Sequence, residues 1–376
     1  MNKEATSSGV ENLDWIDALR GIAIFMVVAS HVAHPCQMPP LLQRIIESGA
    51  AGVELFYVVS AFTLARSWER RKAERAPVRN FFIRRFFRIA PLYWVVLALS
   101  LCIFSGVYGF PGMATLLTNF TFTHGWHPDT IQSGIVGGWS VGIEMSFYLL
   151  VPWIADRLRN PWSALALLLV SVPAAYGLTW VGHLLYHQPW PCYADSFLYF
   201  WLPCQFPAFA FGFVVYAVYR RIDVAALPAR VRLGGSLLFC MLAVGFGFEL
   251  IFSWHCPPVL WPTVAGGLGA CVTLAVALVP WKILVNPFSV LMGKLSYGIY
   301  LLHTLPSLIL TAWLYAQLPV EWKGAGVSVA FFLTVFAGNL FLWMTLAHWG
   351  HRWVEVPGIA WGKRLISRLE KYPATL

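Results

Sequence analysis

Apolar residues run along the chain in blocks of about 18 or more, each long enough to cross a bilayer core of about 30 Å as a helix. Ten such blocks predict ten spans, near residues 15–34, 49–66, 85–107, 139–155, 162–181, 196–219, 232–252, 259–280, 295–315 and 325–347. The polar breaks between them alternate in charge. The break after the second block, RSWERRKAERAPVRNFFIRRFFR, is densely basic, and basic residues recur at Arg157 and Arg159, at Arg220 to Arg232, at Lys282 and Lys294, and from Arg352 to Lys371. The opposite breaks carry little more than Arg44 and Lys323. Because Lys and Arg favour cytoplasmic loops, this alternation predicts both termini on that side. The expected organisation is a cytoplasmic tail over 1–14, one membrane domain over 15–356 and a second cytoplasmic tail over 357–376.

Composition supports the same class. Of 376 residues, 59% are hydrophobic and only 11% charged, where a soluble domain carries about 25% charged residues. Mean hydropathy is +0.65. The expected fold is an all-α polytopic membrane protein, with 19 tryptophans and 14 tyrosines suited to interfacial belts. The net charge of +9 lies in a basic collar, which suits topology and contact with anionic lipids and gives no reason to expect nucleic acid. Seven scattered cysteines show no metal-ligand spacing, so no metal is expected, although Cys192 and Cys256 could bridge two outer loops. The polar start, MNKEATSSGVENLD, lacks the apolar core of a signal peptide, leaving the first span to direct insertion.

Ionisable groups inside spans are costly, which makes them functional candidates. Arg20 and His31 are eleven residues apart in the first span, three helical turns with roughly 20° left over. They share one face, about 16 Å apart along the axis. His31 could serve as a general base or could simply bond a neighbouring carbonyl. Arg85 and Arg88, at i and i+3, could clamp a phosphate bidentately or anchor the helix by snorkelling. Glu54, Glu144 and Glu249 are expected near the outer ends of their spans, level with His31, with Ser140 one turn from Glu144. Tyr297, Tyr300 and His303 share a face of the ninth span, and His303 could have a structural hydrogen-bonding role or a catalytic one. The loop Ser105–Gly138, free of Lys and Arg, suits an outer lid or acceptor groove; a second loop, His183–Asp195, offers aromatics and two histidines.

Taken in order, these motifs resemble the acyltransferase-3 family of integral-membrane O-acyltransferases, of the surface-polysaccharide acetyltransferase type. The matching residues are Leu19-Arg20-Gly21 with His31, Gly52 to Phe56 with Ser60, Arg85-x-x-Arg88 with Pro91 and Tyr93, and Trp139-Ser140 with Glu144, Phe147 and Tyr148. Ser296-Tyr297, Tyr300-Leu301, His303 and Glu355-x-Pro357 follow. Residues 156–290 carry no such motif. Glu54 stands where the family usually has aspartate and Ala61 where it usually has glycine.

The resemblance implies transfer of an acyl group, commonly acetyl from acetyl-CoA, to a hydroxyl of an extracytoplasmic glycan such as an exopolysaccharide, an O-antigen or a lipid-linked precursor. It implies no permanently bound cofactor, with acyl-CoA as a donor substrate on Arg20, Arg85 and Arg88. His31 would be the base, by direct transfer or through an acyl-histidine. Glu144 would orient it, His303 would assist, and Glu54, Ser140 and Tyr297 would hold the substrate. The implied location is the bacterial inner membrane, with membrane lipids and glycan-assembly machinery as partners, and with the membrane domain acting without an appended soluble domain. Carboxylates and histidines at mid-membrane depth also suit a proton-coupled transporter or flippase, but no inverted repeat points that way.

Overall fold

A computed structural model describes residues 13–108, 111–188, 196–252, 258–304, 311, 313–319 and 325–371. Every regular element among the described residues is helical. The long ones are α1 (Asp14–Ala33), α3 (Gly52–Arg71), α4 (Pro77–Tyr108), α8 (Pro161–Tyr186), α10 (Leu202–Tyr219), α11 (Ala229–Phe252), α12 (Trp261–Leu278), α13 (Pro287–Leu302) and α14 (Ala325–Gly350). Short helices fill the connections: α2 (Pro40–Glu47), α5 (Met113–Phe120), α6 (Trp139–Tyr148), α7 (Val151–Ile154) and α9 (Phe197–Phe200). A final helix, α15 (Val356–Lys371), follows α14 through a π-helical turn, His351–Glu355.

Among the described residues, eight helical stretches are long and apolar enough to cross a membrane, making this a multi-pass membrane protein. Two of the ten predicted spans look different. Residues 139–155 form the shorter pair α6 and α7, with Pro152 at the start of α7, where its missing N–H is tolerated. The ninth, predicted over 295–315, starts inside the 16-residue α13, and residues 305–310 and 312 of it lie outside the described ones. Cys192 and Cys256 also lie outside them; Cys36, Cys102, Cys240 and Cys271 are free thiols.

At the centre, α1 packs along α13 and α3. A Cβ built on Gly293 would fall inside the van der Waals shell of the Asp17 carbonyl oxygen, and one on Gly21 would strike the Ser289 carbonyl. Two backbones can approach this closely only where side chains are absent. Gly49 and Gly52 press on Met26 and Ala23 in the same way, bringing the start of α3 against α1. Around this seam α10, α12 and α14 complete the packed wall, while α8 and α11 turn large apolar side chains such as Leu169, Val244 and Phe248 outward.

The loop between α4 and α6 sinks into the bundle. Asn119 and His124 are fully buried. The Tyr93 hydroxyl donates to Asn119 Oδ1 at 2.8 Å, and His124 Nε2–H reaches the Gly138 carbonyl at 3.1 Å. Gly134, at φ +82°, sits against the Asn119 amide, where a Cβ would clash.

Gly293→Ala is expected to lower stability by about 1–3 kcal/mol through overpacking. Thermal melting in detergent checks this, with Gly326→Ala, where an added Cβ meets nothing within 4 Å, as the neutral comparison.

Candidate active site

A cavity of about 90 Å³ opens among α1, α3, α4, α6 and α13. Three arginines line it: Arg20 from α1, and Arg85 and Arg88 from α4. Arg20 donates to Thr63 Oγ1 at 3.2 Å and lies 3.6 Å from Asp17. Arg85 rests its guanidinium over the rings of Phe81 and Tyr148, at 5.7 and 5.8 Å from their centroids. Such cation–π contacts help a desolvated guanidinium without consuming its N–H donors. The sequence expectation that Arg20, Arg85 and Arg88 converge thus matches the geometry.

Glu144 shares this cavity. Its Oε1 accepts from the Ser60 hydroxyl at 2.5 Å and from the Tyr148 hydroxyl at 2.7 Å. This corrects the expected level of Glu144. It stands among the arginines, beside Arg85's stacking partner Tyr148, and not beside His31. The loop before α6 folds into the bundle, so α6 begins deeper than a span counted from the outer surface.

Ser140 and Tyr297 also line the cavity. The Tyr297 hydroxyl donates to the Ile89 carbonyl at 2.7 Å. The Ser140 hydroxyl donates to Tyr300 Oη at 2.6 Å, and the Tyr300 hydroxyl donates to the Gly137 carbonyl at 2.7 Å. Tyr57 reaches the Ser140 carbonyl at 3.4 Å from the α3 side.

His31 and His303 form a pair of their own, with ring centroids 5.0 Å apart and planes at 77°. Neither is among the residues lining the cavity. His31 Nδ1 lies 2.8 Å from the Val27 carbonyl, which can only accept, so Nδ1 carries the proton and Nε2 the lone pair. His303, 1% exposed, places Nδ1 2.5 Å from the Tyr300 carbonyl. Tyr300 therefore joins the two halves, touching the cavity with its hydroxyl and His303 with its backbone.

The other expected carboxylates lie apart. Glu54 is 1% exposed and accepts from the Tyr199 hydroxyl at 3.4 Å, one residue from cavity-lining Val53. Glu249 is exposed on α11. Three carboxylates level with His31 is therefore not what the fold builds. The cavity also contains Thr63, Tyr57, Ser60, Tyr148 and Tyr300, to which the sequence pattern assigns no chemistry of their own. Their signal was present only as hydroxyls on faces that α1 and α13 later enclose. Among the described residues no cluster of three or more His, Cys, Asp or Glu could hold a metal.

At the basic end of the bundle, two wider pockets of about 480 and 520 Å³ adjoin the cavity. Arg85 and Arg88 line the first as well as the cavity, and Arg20 and Thr63 line the second as well as the cavity. Glu74 lines both pockets and pairs with Arg84 at 2.9 Å and Arg71 at 3.5 Å. Burial alone would raise its carboxyl, but hydrogen bonds from Asn80 and Arg84 and the charges of Arg84 and Arg71 hold it below its ordinary value.

The site is thus a polar, arginine-rich cavity in a multi-pass helical bundle, beside a histidine whose tautomer is fixed. A family model for the acyltransferase domain, Acyl_transf_3, matches residues 13–348, and the chain belongs to this acyltransferase family. It is an acyltransferase enzyme. The exopolysaccharide production protein ExoZ of Rhizobium meliloti (strain 1021) is 27% identical over 309 residues, 78% of this chain and 85% of ExoZ. The regulator of hypoxia-inducible factor 1 of Caenorhabditis elegans is 25% identical over 203 residues, 46% of this chain and 40% of the nematode protein. The peptidoglycan O-acetyltransferase OatA of Listeria monocytogenes serovar 1/2a (strain ATCC BAA-679 / EGD-e) is 26% identical over 156 residues, 36% of this chain and 23% of OatA. No solved structure matches the chain.

Tyr148→Phe leaves the half-buried Glu144 carboxylate with one hydroxyl donor where it had two and is expected to destabilise the fold by about 1–3 kcal/mol, read by thermal melting. The Glu74 carboxyl titrates lower when folded than unfolded, so its contribution is complete above about pH 4.5 and is lost as pH falls through the folded value. Glu74→Gln is expected to flatten the acid limb of a stability–pH profile measured on the same protein.

Proposed function

We propose that this enzyme moves an acyl group, acetyl in the first instance, from acyl-CoA at the basic end of the bundle to a hydroxyl of a surface glycan arriving from the histidine end. The basic end would face the cytoplasm of a bacterium, with the chain in its inner membrane. The observation that carries this reading is the convergence of Arg20, Arg85 and Arg88 on one cavity whose other wall, through Tyr300, leads to the His31–His303 pair. The arginines suit the phosphates of the donor, and the wider pockets around them suit its nucleotide. ExoZ, named for exopolysaccharide production, and OatA, named for O-acetylation of peptidoglycan, support a glycan acceptor.

In this scheme the acceptor hydroxyl gives its proton to His31 Nε2, the lone-pair nitrogen left by the Nδ1–H bond to Val27. The hydroxyl oxygen forms a bond to the thioester carbonyl carbon, the carbon–sulfur bond breaks, and the CoA thiolate recovers the proton from the imidazolium. His303 acts as a positioning residue, packed edge to face on His31. Glu144 acts at the donor half, where its charge lies beside Arg20 and Arg85 and orders them. This reading gives it a role toward the arginines in place of orienting His31.

Membranes carrying the wild-type chain are expected to transfer radiolabel from acetyl-CoA to an extractable glycan. His31→Ala should abolish transfer while retaining CoA binding; full activity in this variant would sink the scheme. The double variant Arg85→Ala/Arg88→Ala should raise KM for acetyl-CoA at least tenfold, on the order of 1.4 kcal/mol or more of lost binding.

A further inference from the structure

The last helix, α15, lies beyond the stretch that the family model matches, which ends at residue 348. It nevertheless forms one wall of the 480 Å³ pocket. Ile359, Lys363, Ile366, Ser367 and Glu370 face the pocket, at the i, i+4, i+7, i+8, i+11 spacing of one helical stripe. The neighbouring stripe, Gly358 and Gly362, presses on α4. A Cβ on Gly358 would lie 2.9 Å from the Phe87 carbonyl oxygen, and one on Gly362 2.9 Å from the Phe87 side chain. The C-terminal turn is fastened as well. The fully buried Asn80 amide donates to Glu370 at 2.7 Å and to Glu74 at 3.0 Å. The wall is therefore a fixed part of the pocket.

The charges around this pocket do not balance. Arg71, Arg84, Arg85, Arg88 and Lys363 face it against Glu74 and Glu370, five cations to two carboxylates. Arg71 and Arg84 are paired with Glu74. Arg85, Arg88 and Lys363 make no ion pair with any described residue, and Arg85 Nε is buried without a hydrogen bond. Three cations without an ion pair of their own, on two facing walls, are what a multiply charged anion requires. Arg85 and Arg88 reach it from α4, where they also touch the inner cavity, and Lys363 reaches it from α15 across the pocket.

Building on the donor reading above, we infer that Lys363 is a further donor-binding residue. It grips a phosphate of the acyl-CoA nucleotide from the wall opposite Arg85 and Arg88, and the segment after the last span is part of the donor site. The same chemistry would also attract the phosphate of an anionic lipid, and the test separates the two.

CoA binding is measured on the purified full chain in nanodiscs of zwitterionic phosphatidylcholine, alone and with phosphatidylglycerol, for wild type, Lys363→Ala, Lys363→Arg and Arg364→Ala. Arg364 lies on the same helix, loses the same charge, and is not among the pocket's lining residues. The inference expects Lys363→Ala to weaken CoA binding about tenfold in both lipids, Lys363→Arg to restore most of it, and Arg364→Ala to match wild type. Unchanged melting temperatures would show that all variants fold. Equal binding by Lys363→Ala and wild type overturns the inference. So does a loss equal to that of Arg364→Ala, or one confined to discs with phosphatidylglycerol, which would mark a lipid contact. Wild type that binds no CoA in either lipid would overturn the donor reading itself, a result distinct from all of these.

Discussion

Much of this structure depends on one steric constraint, the approach of α1 to α13 with no side chain between them. Gly21 and Gly293 each abut a backbone carbonyl of the other helix. In a bilayer, apolar side chains gain nothing by leaving lipid for protein, so close van der Waals contact must carry much of the association. That contact sets the separation of the two helices, and with it two consequences for chemistry. At one end it brings His31 and His303 ring to ring. Further along it places Arg20 in the same cavity wall as Ser296, Tyr297 and Tyr300.

The polar groups within the bundle are arranged in order of cost. Guanidiniums occupy the basic end, where two wide pockets open. The carboxylate that shares the inner cavity with them, Glu144, is served by two hydroxyls. Beyond it come the tyrosine and serine hydroxyls around Ser140 and Tyr300 and then the imidazoles, with Glu54 buried to one side against the Tyr199 hydroxyl. A buried charge without partners would be expensive, whereas a hydroxyl chain with its bonds made is cheap. The gradient from charged to neutral is what a path for an anionic donor with an uncharged reactive end needs.

Much of this was legible in the chain itself. Apolar block lengths gave the helices, and the i, i+3 spacing of Arg85 and Arg88 put two guanidiniums on one face. The Arg20–His31 interval correctly set those two side chains along one helix. What could not be read was depth and partnership. Glu144 was misplaced because counting residues from an outer surface assumes that the preceding loop stays outside, whereas this loop buries Asn119 and His124. His31 and His303 were each visible singly, but their meeting rests on glycine-mediated packing between segments that are remote in sequence. Hydropathy ranks glycines only as weakly apolar and says nothing of what presses on them.

The π-helical turn at His351–Glu355 has a bearing on how this chain tolerates insertion and deletion. A π turn accommodates one residue more than an α turn, which rotates everything after it by about 100° about the helix axis. Removing any one residue within that turn would preserve the composition of α15 and its helical propensity while swinging its polar stripe away from the basic pocket and its glycines away from Phe87. The orientation of this wall is thus encoded by the number of residues as much as by their kinds. A comparison that scores substitutions but ignores a single gap would overlook it.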